Sequence, residues 1–180
     1  MRSLGRGFVL VLVGAFLFGV YKTHAPGARA GATLDAPTRT DPVVKAHRSQ
    51  KPPKLVSVRT SRHGIYDRVV FTFAGPLPAS RTGYVRNVRT TGSDKPVPLD
   101  GFADLQVSFD ALSRDRSGRL TWPGPATIHP RYPSLRQVTL AGTGTGDGER
   151  TVFGLGVDHR VGFRVIEVDK PSGIAIDVAS

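Results

Sequence analysis

The residues able to do chemistry in this chain sit in a few small clusters. Tyr66, Asp67 and Arg68 stand together at the entry to the run Val69-Val70-Phe71-Thr72-Phe73. In a binding role, Tyr66 stacks on a sugar ring while Asp67 and Arg68 bond to hydroxyls, amides or peptide carboxylates. In a purely structural role, Asp67 closes the turn after Gly64 and Arg68 pairs with a carboxylate on a neighbouring strand. Tyr84 and Arg86 form a second cluster on one face of a strand, with Arg89 on the other. Aromatic and guanidinium groups together suit glycans and acidic peptides, and equally an ordinary solvated strand. Trp122 is the single Trp of the chain, set between Thr121 and Pro123. It reads either as a ligand platform or as a plug that packs its loop against the core.

Other chemistries find no support. The chain has no Cys, so a disulfide, a thiolate nucleophile and a Cys-type zinc site are all excluded. Its five His, at positions 24, 47, 63, 129 and 159, show no pair at metal-ligand spacing. The glycine series at 142–148 imitates a phosphate-binding loop, but it leads into a strand where such a loop must open a helix, and so it reads as a hairpin. Asp147 and Glu149 are too few carboxylates for a calcium loop. There is no Gly-x-Ser-x-Gly elbow to support serine hydrolysis. The expectation is a non-catalytic binding module with no cofactor.

These residues must be positioned by strands. Short β-forming runs recur at 55–60, 67–73, 84–90, 103–109, 137–141, 151–157, 162–168 and 174–178, separated by Gly, Pro and Asp. About eight such runs, with no sustained helical period, predict an all-β antiparallel sandwich. After the polar entry at 66–68, Val69, Phe71 and Phe73 on one face and Val70 and Thr72 on the other are all apolar or β-branched, which predicts a central strand covered on its two sides. The segment 110–133 carries four Pro and Gly118, and predicts a long loop with a short helix at 111–116.

The rest of the chain differs in kind. Arg2 and Arg6 precede an apolar run at 7–20, followed by Ala28-Arg29-Ala30, the pattern of a secretory signal peptide over 1–30. Such a run spans roughly 21 Å as a helix, short of a ~30 Å hydrocarbon core. Residues 31–54 are rich in Ala, Pro, Thr and charge, and predict a flexible basic linker. Of the net +11, residues 1–54 hold nine Lys/Arg against two Asp, and 55–180 hold sixteen against twelve Asp/Glu. That modest excess in the folded part, without a basic stripe interleaved with aromatics, argues against nucleic acid as partner.

Asp67-Arg68-Val69-Val70-Phe71-Thr72-Phe73, then Gly154-Leu155-Gly156-Val157, Gly162-Phe163-Arg164-Val165 and Pro171-Ser172-Gly173-Ile174-Ala175-Ile176-Asp177-Val178 resemble, in order and spacing, the AMIN-like domain of secreted actinobacterial proteins. That family is similar in turn to the AMIN module, a small β-sandwich that places wall amidases and secretion proteins on peptidoglycan. The resemblance covers 55–180. It implies an extracytoplasmic module that binds peptidoglycan or another wall glycan; the clusters defined by residue type and spacing supply Tyr66, Asp67, Arg68, Tyr84, Arg86 and Trp122 as candidate contacts. The alternative is a module that docks an envelope protein through an edge strand or the 110–133 loop.

Overall fold

The run that begins at Tyr66 becomes a strand inside one of two antiparallel sheets. In the computed structural model, which describes residues 34–143 and 150–180, ten strands follow one another: β1 (Val43–Lys45), β2 (Lys54–His63), β3 (Tyr66–Ala74), β4 (Ser80–Val85), β5 (Ala103–Asp110), β6 (Thr127–Ile128), β7 (Leu135–Thr143), β8 (Arg150–Val157), β9 (Phe163–Asp169) and β10 (Ser172–Ala179). One sheet has the order β1-β4-β5-β8-β7-β6 and the other β2-β3-β10-β9. The expected all-β sandwich is thus the fold, with β1 and the short β6 added to the expected strands. The proposed signal segment 1–30 and most of the glycine-rich loop lie outside the described residues.

Alternation builds the core. Val69, Phe71 and Phe73 of β3 meet Ile174, Ile176 and Val178 of β10 on one side, and Leu105, Val107 and Phe109 of β5 with Phe153 and Leu155 of β8 on the other. Phe71 lies 4.9 Å from the ring centres of both Phe109 and Phe153, at tilts of 59° and 54°, which are favourable aromatic geometries. Between these core positions, Arg68, Val70 and Thr72 are only half-buried. The expectation of a strand covered on both faces is therefore corrected. β3 is interior to its sheet through its hydrogen bonds to β2 and β10, and only one of its faces enters the core.

Three local expectations also change. The strand expected at 84–90 ends at Val85; residues 86–101 instead cross the outside of the six-stranded sheet, where Val88, Val97 and Leu99 pack on Val152 and Ala141. Glycine makes this possible. A Cβ on Gly156 would lie 2.1 Å from the Asp100 carbonyl oxygen, and one on Gly154 would lie 2.9 Å from Leu99 Cδ1. The segment 110–133 is a loop as expected but has no helix at 111–116, because Asp115 captures the following backbone N–H groups into a tight turn.

The third change concerns the linker. Residues 34–54 lie along the sandwich: β1 pairs with β4, and the Arg39 carbonyl accepts a 2.7 Å hydrogen bond from the Phe163 amide. Glu167 fastens the same strap through His47 at 2.7 Å and Lys45 at 3.4 Å. The composition concealed this because backbone hydrogen bonds and ion pairs, not large apolar side chains, hold the strap down.

Candidate functional site

The two outer faces of the sandwich differ. The six-stranded sheet carries residues 86–101 across its outside, whereas the four-stranded sheet leaves its outer side chains partly in solvent. Register sets those side chains in rows. Ser61, Arg68, Asp177 and Arg164 form one row across β2, β3, β10 and β9; Arg59, Val70, Ala175 and Ile166 form the next; Ser57, Thr72, Gly173 and Val168 form the third.

Asp177 is the anchor of the first row. It is fully buried, and its two oxygens accept from both neighbouring guanidiniums: Oδ1 from Arg68 Nε at 2.5 Å, and Oδ2 from Arg68 Nη2 at 2.9 Å, Arg164 Nη2 at 2.7 Å and Arg164 Nε at 3.1 Å. Hydrogen bonding to Asp177 raises the Arg68 guanidinium above its ordinary pKa. One carboxylate holds two cations, so the trio keeps a net positive charge at the surface. Arg164 extends it through Nη1, which donates at 2.9 Å to the Asp35 carbonyl, and it lines a cleft of about 570 Å³ between the strap and β9.

The expected site residues separate. Arg68 takes the structural role foreseen for it, paired to a carboxylate on the next strand, while its side chain remains 21% exposed. Tyr66 belongs to the same cluster but offers no open ring. His63 stacks on it at 4.7 Å, the Arg68 and Arg164 guanidiniums lie 5.1 and 5.5 Å from its centre, and 8% of the residue is exposed. Asp67 points the opposite way, into the core, where its Oδ2 accepts from the Ser134 and Leu135 amides at 2.9 and 3.0 Å. It joins the two sheets and does not reach solvent. Trp122 is the plug of the two readings: it is 5% exposed and packs 5.9 Å from Phe153.

Tyr84 and Arg86 lie on and beside the other sheet. The Tyr84 hydroxyl donates to the Val161 carbonyl at 2.9 Å and accepts from the Val161 amide at 3.2 Å, tying β4 to the entry of β9. Burial pushes its phenol above the ordinary range. Arg86 is exposed beside Phe102, itself 93% exposed. Sequence reasoning missed Asp177 and Arg164. The signal was present: Asp177 is the one charge inside Ile174-Ala175-Ile176-Asp177-Val178, and alternation puts it on the face opposite the isoleucines.

As to reaction chemistry, Ser61 Oγ and His63 Nε2 are 3.0 Å apart, but residues i and i+2 of one strand share a face as a matter of course. No carboxylate orients the imidazole among the described contacts, as a nucleophile-base pair requires.

A family-level comparison matches residues 53–180 to the AMIN-like domain. The chain belongs to the AMIN-like domain family. AMIN-like domains are typically extracytoplasmic, cell-wall-related modules, in general without catalysis. No curated protein and no solved structure matches the chain. The family match covers every strand but β1, and thus the whole Arg68–Asp177–Arg164 row; Gly154 and Gly156 of the matched region are two of the positions where residues 86–101 press close on β8.

Proposed function

We propose that this chain is a non-catalytic cell-envelope module that binds peptidoglycan on the outer face of its four-stranded sheet. The observation that carries the reading is the Arg68–Asp177–Arg164 trio. A fully buried carboxylate fixes the planes of two guanidiniums while cancelling one of their two charges, so the fork is pre-organised before a ligand arrives. Wall peptides end in carboxylates, to which the Nη N–H groups not taken by Asp177 or by the Asp35 carbonyl can donate. The adjoining row of Arg59, Val70 and Ile166 supplies a further cation and an apolar strip for the rest of the ligand.

Cosedimentation of the full chain with purified peptidoglycan at physiological salt tests this. Arg59→Glu combined with Ile166→Glu alters the face without touching the Asp177 pairs, so the protein stays folded and should lose at least about tenfold in affinity, as two lost contacts of about 1 kcal/mol each imply. Retention of both variant and parent in the pellet to the same extent would sink the proposal. The alternative is a protein partner added as a strand along β2 beyond Leu55, where β2 pairs among the named strands with β3 alone; at Lys54 and Leu55 that edge already meets Leu112. Against it stand the bulge between Leu55 and Ser57 and the exposed Arg59 and Arg62, features that blunt an edge.

A further inference from the structure

A second basic surface lies at the other end of β2, built around the turn at 114–119. Asp115 organises that turn. Its Oδ1 accepts from the Ser117 amide at 2.8 Å, the Ser117 hydroxyl at 2.6 Å and the Arg119 amide at 3.0 Å, and its Oδ2 accepts from Arg119 Nε at 3.2 Å. The hydrogen bonds from Ser117, ahead of those from Arg119, hold its carboxyl at about 2. Arg114 Nη1 closes the turn from the other side with a 2.6 Å bond to the Gly118 carbonyl. Among the described residues that line this surface, the one carboxylate is thus used inside the loop.

Beside the turn runs an open cleft of about 840 Å³ whose walls carry Lys51, Lys54, Arg114, Arg116 and Arg119. All five are exposed. They come from two stretches of chain that a short backbone ladder holds side by side: the Leu55 amide donates to the Leu112 carbonyl at 2.8 Å, and the Leu112 amide to the Pro53 carbonyl at 2.9 Å. The remaining wall, Pro52, Leu112 and Ser117, has no aromatic ring on which a base or sugar could stack. It also has no exposed large apolar side chain to enter a lipid surface.

We propose that this cleft is a binding site for a polyanionic chain of phosphate diester units, separate from the sheet face. A chain of phosphate diester units carries one negative charge per unit along its whole length, so a segment lying in the cleft meets cations from both walls.

Binding of the full chain to end-labelled poly(glycerol phosphate), followed by fluorescence anisotropy over a salt series, tests the site. Lys51→Gln, Lys54→Gln and Arg116→Gln together remove three cations that make none of the turn's hydrogen bonds. With five contacts the log–log salt slope should be about 3.5, falling to about 1.4 in the triple variant by analogy with single-stranded polyanions, with affinity down at least tenfold. A control triple variant, Arg62→Gln, Arg131→Gln and Arg160→Gln, makes the same charge change outside the cleft and should stay within about twofold of the parent at physiological salt, where the Debye length is about 8 Å. The assignment is overturned if the parent fails to bind at low salt, if the cleft variant binds like the parent, or if the control loses as much. Equal competition by poly-glutamate would overturn the phosphate preference. Binding to phosphatidylglycerol vesicles without binding to the soluble polymer would overturn the polymer as ligand. None of these outcomes bears on peptidoglycan binding by the sheet face, which uses other residues.

Discussion

Replacing Asp177 by Ala removes the group on which the open sheet face depends, and its cost can be worked from the contacts. The carboxylate is fully buried and accepts four N–H bonds, all from cations. Breaking a buried ion pair from one side costs about 3–5 kcal/mol, because the surviving charge loses its partner. Here two guanidiniums survive side by side, but their side chains are 21% and 27% exposed, so water recovers part of the loss. The lower end applies, about 3 kcal/mol, and for a fold of this size that corresponds to a melting temperature lower by about 10 °C. Arg68→Met is milder, about 1–2 kcal/mol, since Arg164 still pairs with Asp177. The double variant should cost clearly less than the sum of the two, since in Arg68→Met there is one cation fewer to strand. Thermal and urea unfolding of the four proteins measures all three quantities. An Asp177→Ala change of under about 1 kcal/mol, or additivity within about 0.3 kcal/mol, would refute the claim that this carboxylate organises the face.

Other consequences are read from single contacts. Gly156→Ala forces a Cβ to 2.1 Å from the Asp100 carbonyl oxygen and should destabilise by several kcal/mol, whereas Gly64→Ala meets nothing within 4 Å and should be near neutral; paired urea titrations distinguish them. Trp122→Ala should cost about 3 kcal/mol as a buried aromatic truncation, and leave cosedimentation with peptidoglycan unchanged in the folded fraction, because the ring never reaches the surface. The strap should loosen in acid. Burial alone would push the Glu167 carboxyl up, but His47 and Lys45 together outweigh it and hold it below its ordinary range. A depressed carboxylate stabilises fully above its unfolded pKa and loses that contribution as pH falls through its folded one. Amide protection factors at 39–47, taken against the intrinsic exchange rate at each pH, should therefore fall as the pH drops below the ordinary carboxylate range, while the Asp115 turn keeps its order until pH nears about 2.

Much of the fold was legible because burial alternates with the strand period. Phe71 and Phe73, Leu105 and Val107, and Ile174 and Ile176 each declare their inward face without help from distant residues. The strap was not legible. Val43 and Val44 are too few to signal a strand, and what fixes them is pairing to Thr82 and Arg81 of β4. The crossing of residues 86–101 was hidden for a related reason: it rests on Gly154 and Gly156 having no side chain, and an absence of atoms has no hydropathy.

The candidate site was half legible. Arg68 could be named from its place beside Tyr66, and its pairing with a carboxylate on a neighbouring strand was one of two readings. Which carboxylate could not be named, since Asp177 lies 109 residues away and only the β3–β10 register brings them opposite. Asp67 and Trp122 were attractive as contacts because of their chemistry, and alternation alone already placed Asp67 on the Val69 face, where it now bonds to the start of β7. Tyr66 shows that an aromatic next to Arg on an outer face need not be a platform, since His63 and two guanidiniums occupy its ring.

The most direct test of the account is chemical-shift mapping of the full chain titrated with a soluble peptidoglycan fragment that carries its stem peptide. The account predicts that the largest perturbations cluster at Arg59, Arg68, Val70, Arg164 and Ile166, with the Arg68 and Arg164 Nε–H signals moving together. Saturable shifts confined to β2's free edge or to the 86–101 crossing, with that row unmoved, would contradict it.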